Sequence, residues 1–231
     1  LAHHLTMEGC AVVGVEGLKI EPVQQSQIKE PIYDFNSLKE DLSERVMTGF
    51  GGVAEYGITV RWDKNYLKLI YLCLQRRPTF SVYGGVRFGG TFTVEDVWEL
   101  GCDHLAVAVG AGLPRELPIP GSMATGMRQA NDFLMALQLT GAAKRSSLAN
   151  LQVRLPAVII GGGLTGIDTA TEVQAYYITQ VEKVLARYEI LVQKYGSENV
   201  HQHFKNVDAE ILQEFITHGT AVRDERKQAA L

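Results

Sequence analysis

The sequence predicts an α/β fold with a mostly parallel sheet, followed by a helical segment. Two observations in the 231-residue chain support this prediction. Strand-like runs rich in valine alternate with helical patterns as far as Glu172, which is typical of doubly wound domains. Beyond Glu172 only helical spacing recurs, first in the apolar positions between Val181 and Tyr195 and then in DAEILQEFITHG.

The individual elements follow from local patterns. LAHHLTMEG has the spacing of a helix end capped by Gly9, and CAVVGVEG is a predicted buried strand ending on Glu16. A helix, a β-prone stretch and a short capped helix stopped by Gly101 come next, in KNYLKLIYLCLQRR, TFSVYGGVRF and TVEDVWEL. DHLAVAVGAG and PAVII are each predicted to hold a further buried strand.

Composition excludes several classes of protein. The chain is 46% hydrophobic and 21% charged with a net charge of −4, which predicts a soluble globular protein and argues against nucleic acid as a partner. No apolar run approaches the roughly 20 residues of a membrane span. Three separate cysteines predict a reducing, cytoplasmic location, with Cys73 and Cys102 as core thiols.

The most informative motif is the glycine turn in PAVIIGGGLTGIDTATE, residues 156–172. Gly161, Gly163 and Gly166 satisfy G-x-G-x-x-G between a predicted strand and a predicted helix. The first glycine permits the tight turn, the second lets the main chain approach a pyrophosphate, and the third lets the helix pack closely. The alternative is a tight strand-to-helix connection that binds nothing.

Each candidate nucleotide site lacks a part. A dinucleotide half-site needs a second strand with a ribose-binding acid about 20 residues after the turn, and helix occupies that place here. The sequence therefore leaves NAD and NADP equally open. Conversely, Glu16 ends a strand as a ribose-binding acid does, but its glycine turn would lie upstream of Leu1. Glu16 could equally cap a loop.

An ordered set of motifs makes the pattern more specific. FGGVAEYGI (50–58), DHLAVAVGAGLPRELPIPG (103–121), ANDFLMALQ (130–138) and VIIGGGLTGIDTATE (158–172) occur in this order and spacing. The set resembles the FAD-dependent members of the pyridine nucleotide-disulfide oxidoreductase superfamily that are related to the glutamate synthase small subunit and the reductase part of dihydropyrimidine dehydrogenase. The resemblance covers about residues 1 to 172.

The resemblance implies a flavoprotein that passes electrons from NAD(P)H through FAD to a partner subunit or acceptor protein, with iron–sulfur proteins among the candidate acceptors. It places Glu16 on the FAD ribose, Gly51 and Gly52 beside the flavin, Phe88 near the adenine and Gly110 near the flavin diphosphate. It assigns the remaining site residues to the nicotinamide-nucleotide turn: Gly161, Gly163, Gly166 and Asp168.

The resemblance also implies two Rossmann-like nucleotide-binding domains, both incomplete, so that the chain is expected to be a fragment of such an enzyme. We predict a partial FAD domain over 1–145, the start of an NAD(P) domain over 146–172, and a helical insertion or extension over 173–231.

No catalytic or metal-binding residue is predicted. Flavin and nicotinamide exchange the hydride themselves while the protein orients them. His201 and His203 lack a nearby third ligand for a metal. Two alternatives stay open: a simple NAD(P)-dependent dehydrogenase with 1–150 as its substrate domain, and a non-enzymatic interaction module whose C-terminal helices bind a partner.

Overall fold

The computed structural model describes residues 1–39, 58–59, 65–110 and 114–230. The chain divides into two compact units, the first formed by Leu1–Tyr56 and Val60–Asn131, the second by Gly57–Thr59 and Asp132–Leu231. The division after Asn131 precedes the predicted boundary at 145, and the assignment of the segments to nucleotide domains stays a prediction.

The first unit alternates short helices with two strands. In chain order its elements are α1 (Ala2–Met7), β1 (Val12–Glu16), α2 (Gln25–Lys29), a 3-10 turn (Phe35–Leu38), α3 (Asn65–Gln75), β2 (Phe80–Gly84) and α4 (Val94–Glu99). The predicted cap of α4 is confirmed, because Thr93 and Asp96 form a reciprocal capping box at its N-terminus.

The sheet of the described residues consists of β1 and β2 paired in parallel, from Val12 opposite Phe80 to Glu16 opposite Gly84. Helix α3 lies between them in sequence and buries Leu67, Leu72 and Leu74. The prediction that β1 is a buried strand is only half right. Its residues alternate between half-buried and exposed, since the described residues cover one face of the pair.

Two predicted buried strands do not form among the described residues. The segments 104–109 and 157–160 have no regular secondary structure there and belong to no β-ladder. Val107 is 66% exposed and Val158 is 84% exposed. A strand of a parallel sheet is stabilised by hydrogen bonds to a neighbour and by cover on its faces, and these two segments have neither here.

The second unit is helical. Helix α5 (Ala130–Leu139) leads into it, followed by α6 (Leu164–Tyr195), α7 (Ser197–His201) and α8 (Val207–Ala229). Helix α6 continues without a break through residue 173 and ends at Gly196, as predicted. One core cluster joins α5 to α6, and its buried members are Phe133, Leu137, Ala142, Ala143, Leu151, Val173 and Tyr176. A second core cluster joins α6 to α8, and its buried members are Tyr177, Val181 and Phe215.

Two further sequence expectations concern cysteines and membranes. Cys10, Cys73 and Cys102 are all exposed, so the prediction that Cys73 and Cys102 are core thiols is wrong. Cys73 lies on the outward side of α3, whose opposite side carries the buried leucines. In the described part of the chain, no helix combines the length and the apolar character that crossing a membrane requires.

Candidate functional site

The glycine turn of the second unit has an open main-chain surface. Gly161 has φ +123°, a conformation that only glycine adopts readily. Gly163 is the N-cap of α6. A β-carbon added at Gly161, Gly162 or Gly163 would meet no atom within 4 Å. The main chain of the turn is therefore accessible, and no side chain of the described part of the chain fills the space above it.

Gly166 has a different structural role in the same turn. A β-carbon on Gly166 would lie 2.2 Å from the carbonyl oxygen of Gly161 and 3.6 Å from the Cγ2 atom of Ile159. The first turn of α6 thus packs against the main chain that leads into it. Only glycine fits there, which accounts for the third glycine of the motif.

The start of α6 has the electrostatic character that suits an anion. The first main-chain N–H groups of a helix lack intrahelical acceptors, and the helix dipole places partial positive charge at this end. The cap residue, Gly163, has no side chain that could accept from them. The residues present therefore fit the pyrophosphate of a dinucleotide.

Asp168 lies in the second turn of α6 and is half-buried. Its carbonyl oxygen accepts a hydrogen bond of 2.9 Å from the hydroxyl of Thr171. The role that the resemblance assigns to its carboxylate stays a prediction.

A buried carboxylate that the sequence analysis missed lies one turn further along. Glu172 is 3% exposed. It accepts from the main-chain N–H of Ile58 at 2.5 Å and of Thr59 at 2.7 Å, and also from the Thr59 hydroxyl. These donors satisfy a charge that would be costly to bury alone.

Glu172 begins a row of polar side chains on α6 that bind main-chain groups. We call this row the polar stripe; its members are Glu172, Tyr176, Gln180, Lys183 and Arg187. At 3.6 residues per turn they fall within about 80° of the helix circumference. Of the buried apolar residues of α6, Val173 lies just beyond this arc and Leu185 lies on the opposite side of the helix, so the apolar spacing gave no signal that the stripe is buried.

The rest of the polar stripe holds the segment that leads to the glycine turn. The Gln180 amide accepts from Val153 N and donates to Val153 O, both at 2.8 Å. The Tyr176 hydroxyl accepts from Leu151 N at 3.0 Å, and the Lys183 ammonium donates to Ala142 O at 2.6 Å. Arg187 donates to the carbonyl of Ser147 at 2.6 Å.

On the far side of α6, a polar cluster joins it to α8. The Tyr177 hydroxyl lies 2.6 Å from Nδ1 of His218 and 3.4 Å from a carboxylate oxygen of Glu214. Glu214 also pairs with Arg154 at 2.6 Å. Burial, followed by the negative charge of Glu214, raises the pKa of Tyr177 to about 12.

In the first unit, Glu16 stands at the carboxyl end of β1, opposite Gly84 of β2. Its carboxylate accepts a long bond of 3.4 Å from Leu18 N. A β-carbon on Gly84 would lie 2.3 Å from Ile20 N, so the chain after β1 closes over the end of β2. Ligands of open parallel sheets bind at this edge, and Glu16 fits a ribose there.

The remaining predicted site residues are placed as follows. Phe88 is half-buried, and its ring packs edge-on against Phe92 with centroids 5.2 Å apart. Gly110 ends the exposed segment 104–109 with φ +73°. Gly51 and Gly52 lie outside the described residues, so their predicted place beside the flavin is not described.

Comparison with known proteins decides the family. The model of the pyridine nucleotide-disulphide oxidoreductase family matches residues 55–225, which include the glycine turn, the polar stripe and most of α8. The chain belongs to this family.

Membership of the pyridine nucleotide-disulphide oxidoreductase family confirms the coarser sequence predictions. The family implies a Rossmann-like nucleotide-binding fold and an oxidoreductase of the flavin-dependent kind, and its members in general bind FAD and use NAD(P)H. The narrower resemblance to glutamate synthase is a separate matter and stays a prediction.

A curated relative is similar along the whole chain. An uncharacterized protein of Rickettsia prowazekii (strain Madrid E) is 41% identical over all 231 residues. The chain covers 31% of the length of that relative. No solved structure matches the chain.

Proposed function

We propose that the full-length protein containing this chain is a flavoprotein of the glutamate synthase small-subunit type, which passes electrons from NAD(P)H through FAD to a partner subunit or acceptor protein. The observation that carries the proposal is the glycine turn of the second unit. Its main chain is open at Gly161 to Gly163, and Gly166 is confined by the carbonyl of Gly161. An open turn of this shape at a helix start, within a family of this chemistry, supports a nicotinamide-nucleotide site.

In this assignment the glycine turn binds the pyrophosphate of NAD(P)H. The N–H groups at the start of α6 donate to phosphate oxygens, and Gly163 leaves room for their approach. The members of the polar stripe from Tyr176 to Arg187 hold the incoming segment 142–153 by its main chain, and so they fix the position of the turn.

Glu16 supplies the corresponding contact on the FAD side. Its carboxylate has one long internal hydrogen bond, to Leu18 N, and retains acceptor capacity for two ribose hydroxyls. Phe88 and Gly110 take the adenine and diphosphate positions that the resemblance assigns to them. When bound, the two cofactors supply hydride transfer between nicotinamide and flavin, and the protein supplies their orientation.

The test uses the backbone conformation of Gly163. Its φ of −79° suits any residue, and a β-carbon there meets nothing within 4 Å. Gly163→Val should therefore fold normally while filling the space that a phosphate needs. We expect calorimetric titration with NADPH and NADH to show binding of at least one nucleotide, weakened by about tenfold or more in this variant because main-chain contacts to phosphate are lost.

Gly90→Val is the matched control, since a β-carbon at Gly90 makes only ordinary contacts of 3.7 Å with Arg87. It should bind nucleotide as the unmodified chain does. Absence of binding to the unmodified chain, or equal binding by Gly163→Val, contradicts the nicotinamide site. A full-length protein that purifies colourless and takes up no FAD contradicts the flavoprotein assignment, and capture of a partner without either nucleotide favours the interaction module.

A further inference from the structure

Among the described residues, Glu172 binds a segment much more distant in sequence than those that the other members of the polar stripe bind. Tyr176, Gln180, Lys183 and Arg187 bind the main chain of residues 142–153, which precedes α6 directly in sequence. Glu172 instead binds Ile58 and Thr59, more than 110 residues away. Ile58 also packs against the core cluster that joins α5 to α6, so Glu172 adds directed hydrogen bonds to a segment that apolar packing already contacts.

The hydrogen bonds from Ile58 and Thr59 to Glu172 include two from main-chain N–H groups, and they belong to a strong class of hydrogen bond. Two N–H groups and one hydroxyl converge on a single buried carboxylate. Hydrogen bonds to a charged acceptor are shorter and stronger than neutral ones, and burial strengthens them further. The Glu172 bonds therefore fix the main chain of residues 58–59 on α6, where Ile58 also packs against the core cluster.

Glu172 and Ile58 belong to segments that the proposed function assigns to different cofactors. Glu172 lies eight residues beyond the start of α6, roughly 12 Å along the axis from the glycine turn. Ile58 is the last residue of FGGVAEYGI, the stretch that resembles the flavin-lining turn of the family. One side chain thus ties the helix of the nicotinamide-nucleotide turn to the end of the flavin-lining stretch.

We propose that Glu172 is a positioning residue for hydride transfer. It holds Thr59 and Ile58, the last residue of the flavin-lining stretch, in a fixed place on α6, the helix that begins at the NAD(P)H turn. This inference rests on the proposed function. Because small misplacement of reacting groups slows transfer strongly, loss of the tie lowers the rate of flavin reduction and leaves NAD(P)H affinity unchanged.

Glu172→Gln tests the proposal, with Glu182→Gln as the matched control on the same helix. Glu182 forms an exposed ion pair with Arg226 and does not touch residues 58–59. Thr59→Val is a milder second variant, which removes the hydroxyl bond to Glu172 and a long 3.5 Å contact with the Thr171 hydroxyl but keeps both main-chain bonds to Glu172. Amide hydrogen exchange at Ile58 and Thr59 should quicken in Glu172→Gln, to a lesser degree in Thr59→Val, and stay unchanged in Glu182→Gln.

The functional readout is flavin reduction by NAD(P)H in the FAD-loaded full-length protein. We expect Glu172→Gln to slow it by about tenfold or more with the nucleotide dissociation constant unchanged, and Glu182→Gln to leave both values unchanged. Unchanged amide exchange overturns the tie itself. Faster exchange with an unchanged reduction rate overturns the positioning role. A full-length protein that takes up no FAD overturns the proposed function, and the positioning role with it, while amide exchange still shows whether Glu172 orders residues 58–59.

Discussion

A β-carbon on Gly166 would lie 2.2 Å from the carbonyl oxygen of Gly161, well inside the distance at which two such atoms can coexist. The first turn of helix α6 can therefore pack against the main chain of Gly161 only if residue 166 is glycine. The neighbouring Gly163 has open space in the corresponding direction. Gly166 is thus constrained by the fold, whereas no contact of the described residues requires glycine at position 163.

Gly166→Ala should destabilise the second unit. Alanine favours a helix by about 1 kcal/mol over glycine, but forcing a methyl group against main chain costs roughly 1–3 kcal/mol, so we expect a net loss. Urea unfolding followed by far-ultraviolet circular dichroism measures it. Gly163→Ala is the control and should unfold near the midpoint of the unmodified chain, while equal midpoints for both variants would show that the close approach is absent in solution.

Gly219→Ala should weaken the packing of α6 on α8. A β-carbon there would lie 2.6 Å from the carbonyl oxygen of Val181 and 3.0 Å from Cβ of Leu185. Separating the helices exposes part of the cluster of Tyr177, Val181 and Phe215, and we expect a loss of about 1–3 kcal/mol. Thermal unfolding checks this, with the exposed Thr217→Ala on the same helix as control. A higher midpoint for Gly219→Ala would mean that helix propensity outweighs the contact.

Gln180→Ala should free the segment that precedes the glycine turn. Gln180 is 2% exposed, and it pairs with both main-chain groups of Val153. Its truncation leaves both groups without these partners, at a cost of about 1–3 kcal/mol for each group that stays buried. Amide exchange at Val153 should quicken in Gln180→Ala and not in the exposed Gln213→Ala. Retained protection at Val153 would contradict the pairing.

The alkaline stability of the chain should depend on Tyr177. Its pKa is about 12 in the folded chain against 10.0 for an ordinary tyrosine, because burial and the charge of Glu214 favour the neutral hydroxyl. The contribution of the neutral Tyr177 hydroxyl to the free energy of unfolding is fully present below pH 10. It is lost as the pH rises to about 12, because in that range the tyrosine ionises only in the unfolded chain. The loss is of the order of 2 kcal/mol.

Tyr177→Phe should therefore show a flatter fall of unfolding free energy between about pH 10 and 12. It should also be less stable at neutral pH, where the bond to His218 is missing. Tyr33→Phe is the control, because Tyr33 is 93% exposed. Denaturant unfolding across this pH range measures both effects, and identical slopes for Tyr177→Phe and the unmodified chain would show that Tyr177 ionises normally.

Most helices could be predicted because their signals are local. The capping pair Thr93 and Asp96, the apolar spacing of α3 and the stop at Gly196 each involve residues within a few positions of one another. The apolar segments 104–109 and 157–160 could not be predicted in the same way. Their composition suits a strand, but a strand forms only if a partner and a covering layer are supplied by distant residues.

The sequence by itself determined the helices α1, α3, α4, α6 and α8, the strands β1 and β2, the glycine turn and, through the ordered motifs, the family. Only the tertiary structure decided that Glu172 and Gln180 are buried and bind the main chain of other segments. The physical reason is that a polar side chain on a helix can face solvent equally well. Whether it is buried depends on which distant main-chain groups pack against it, and no local pattern encodes that.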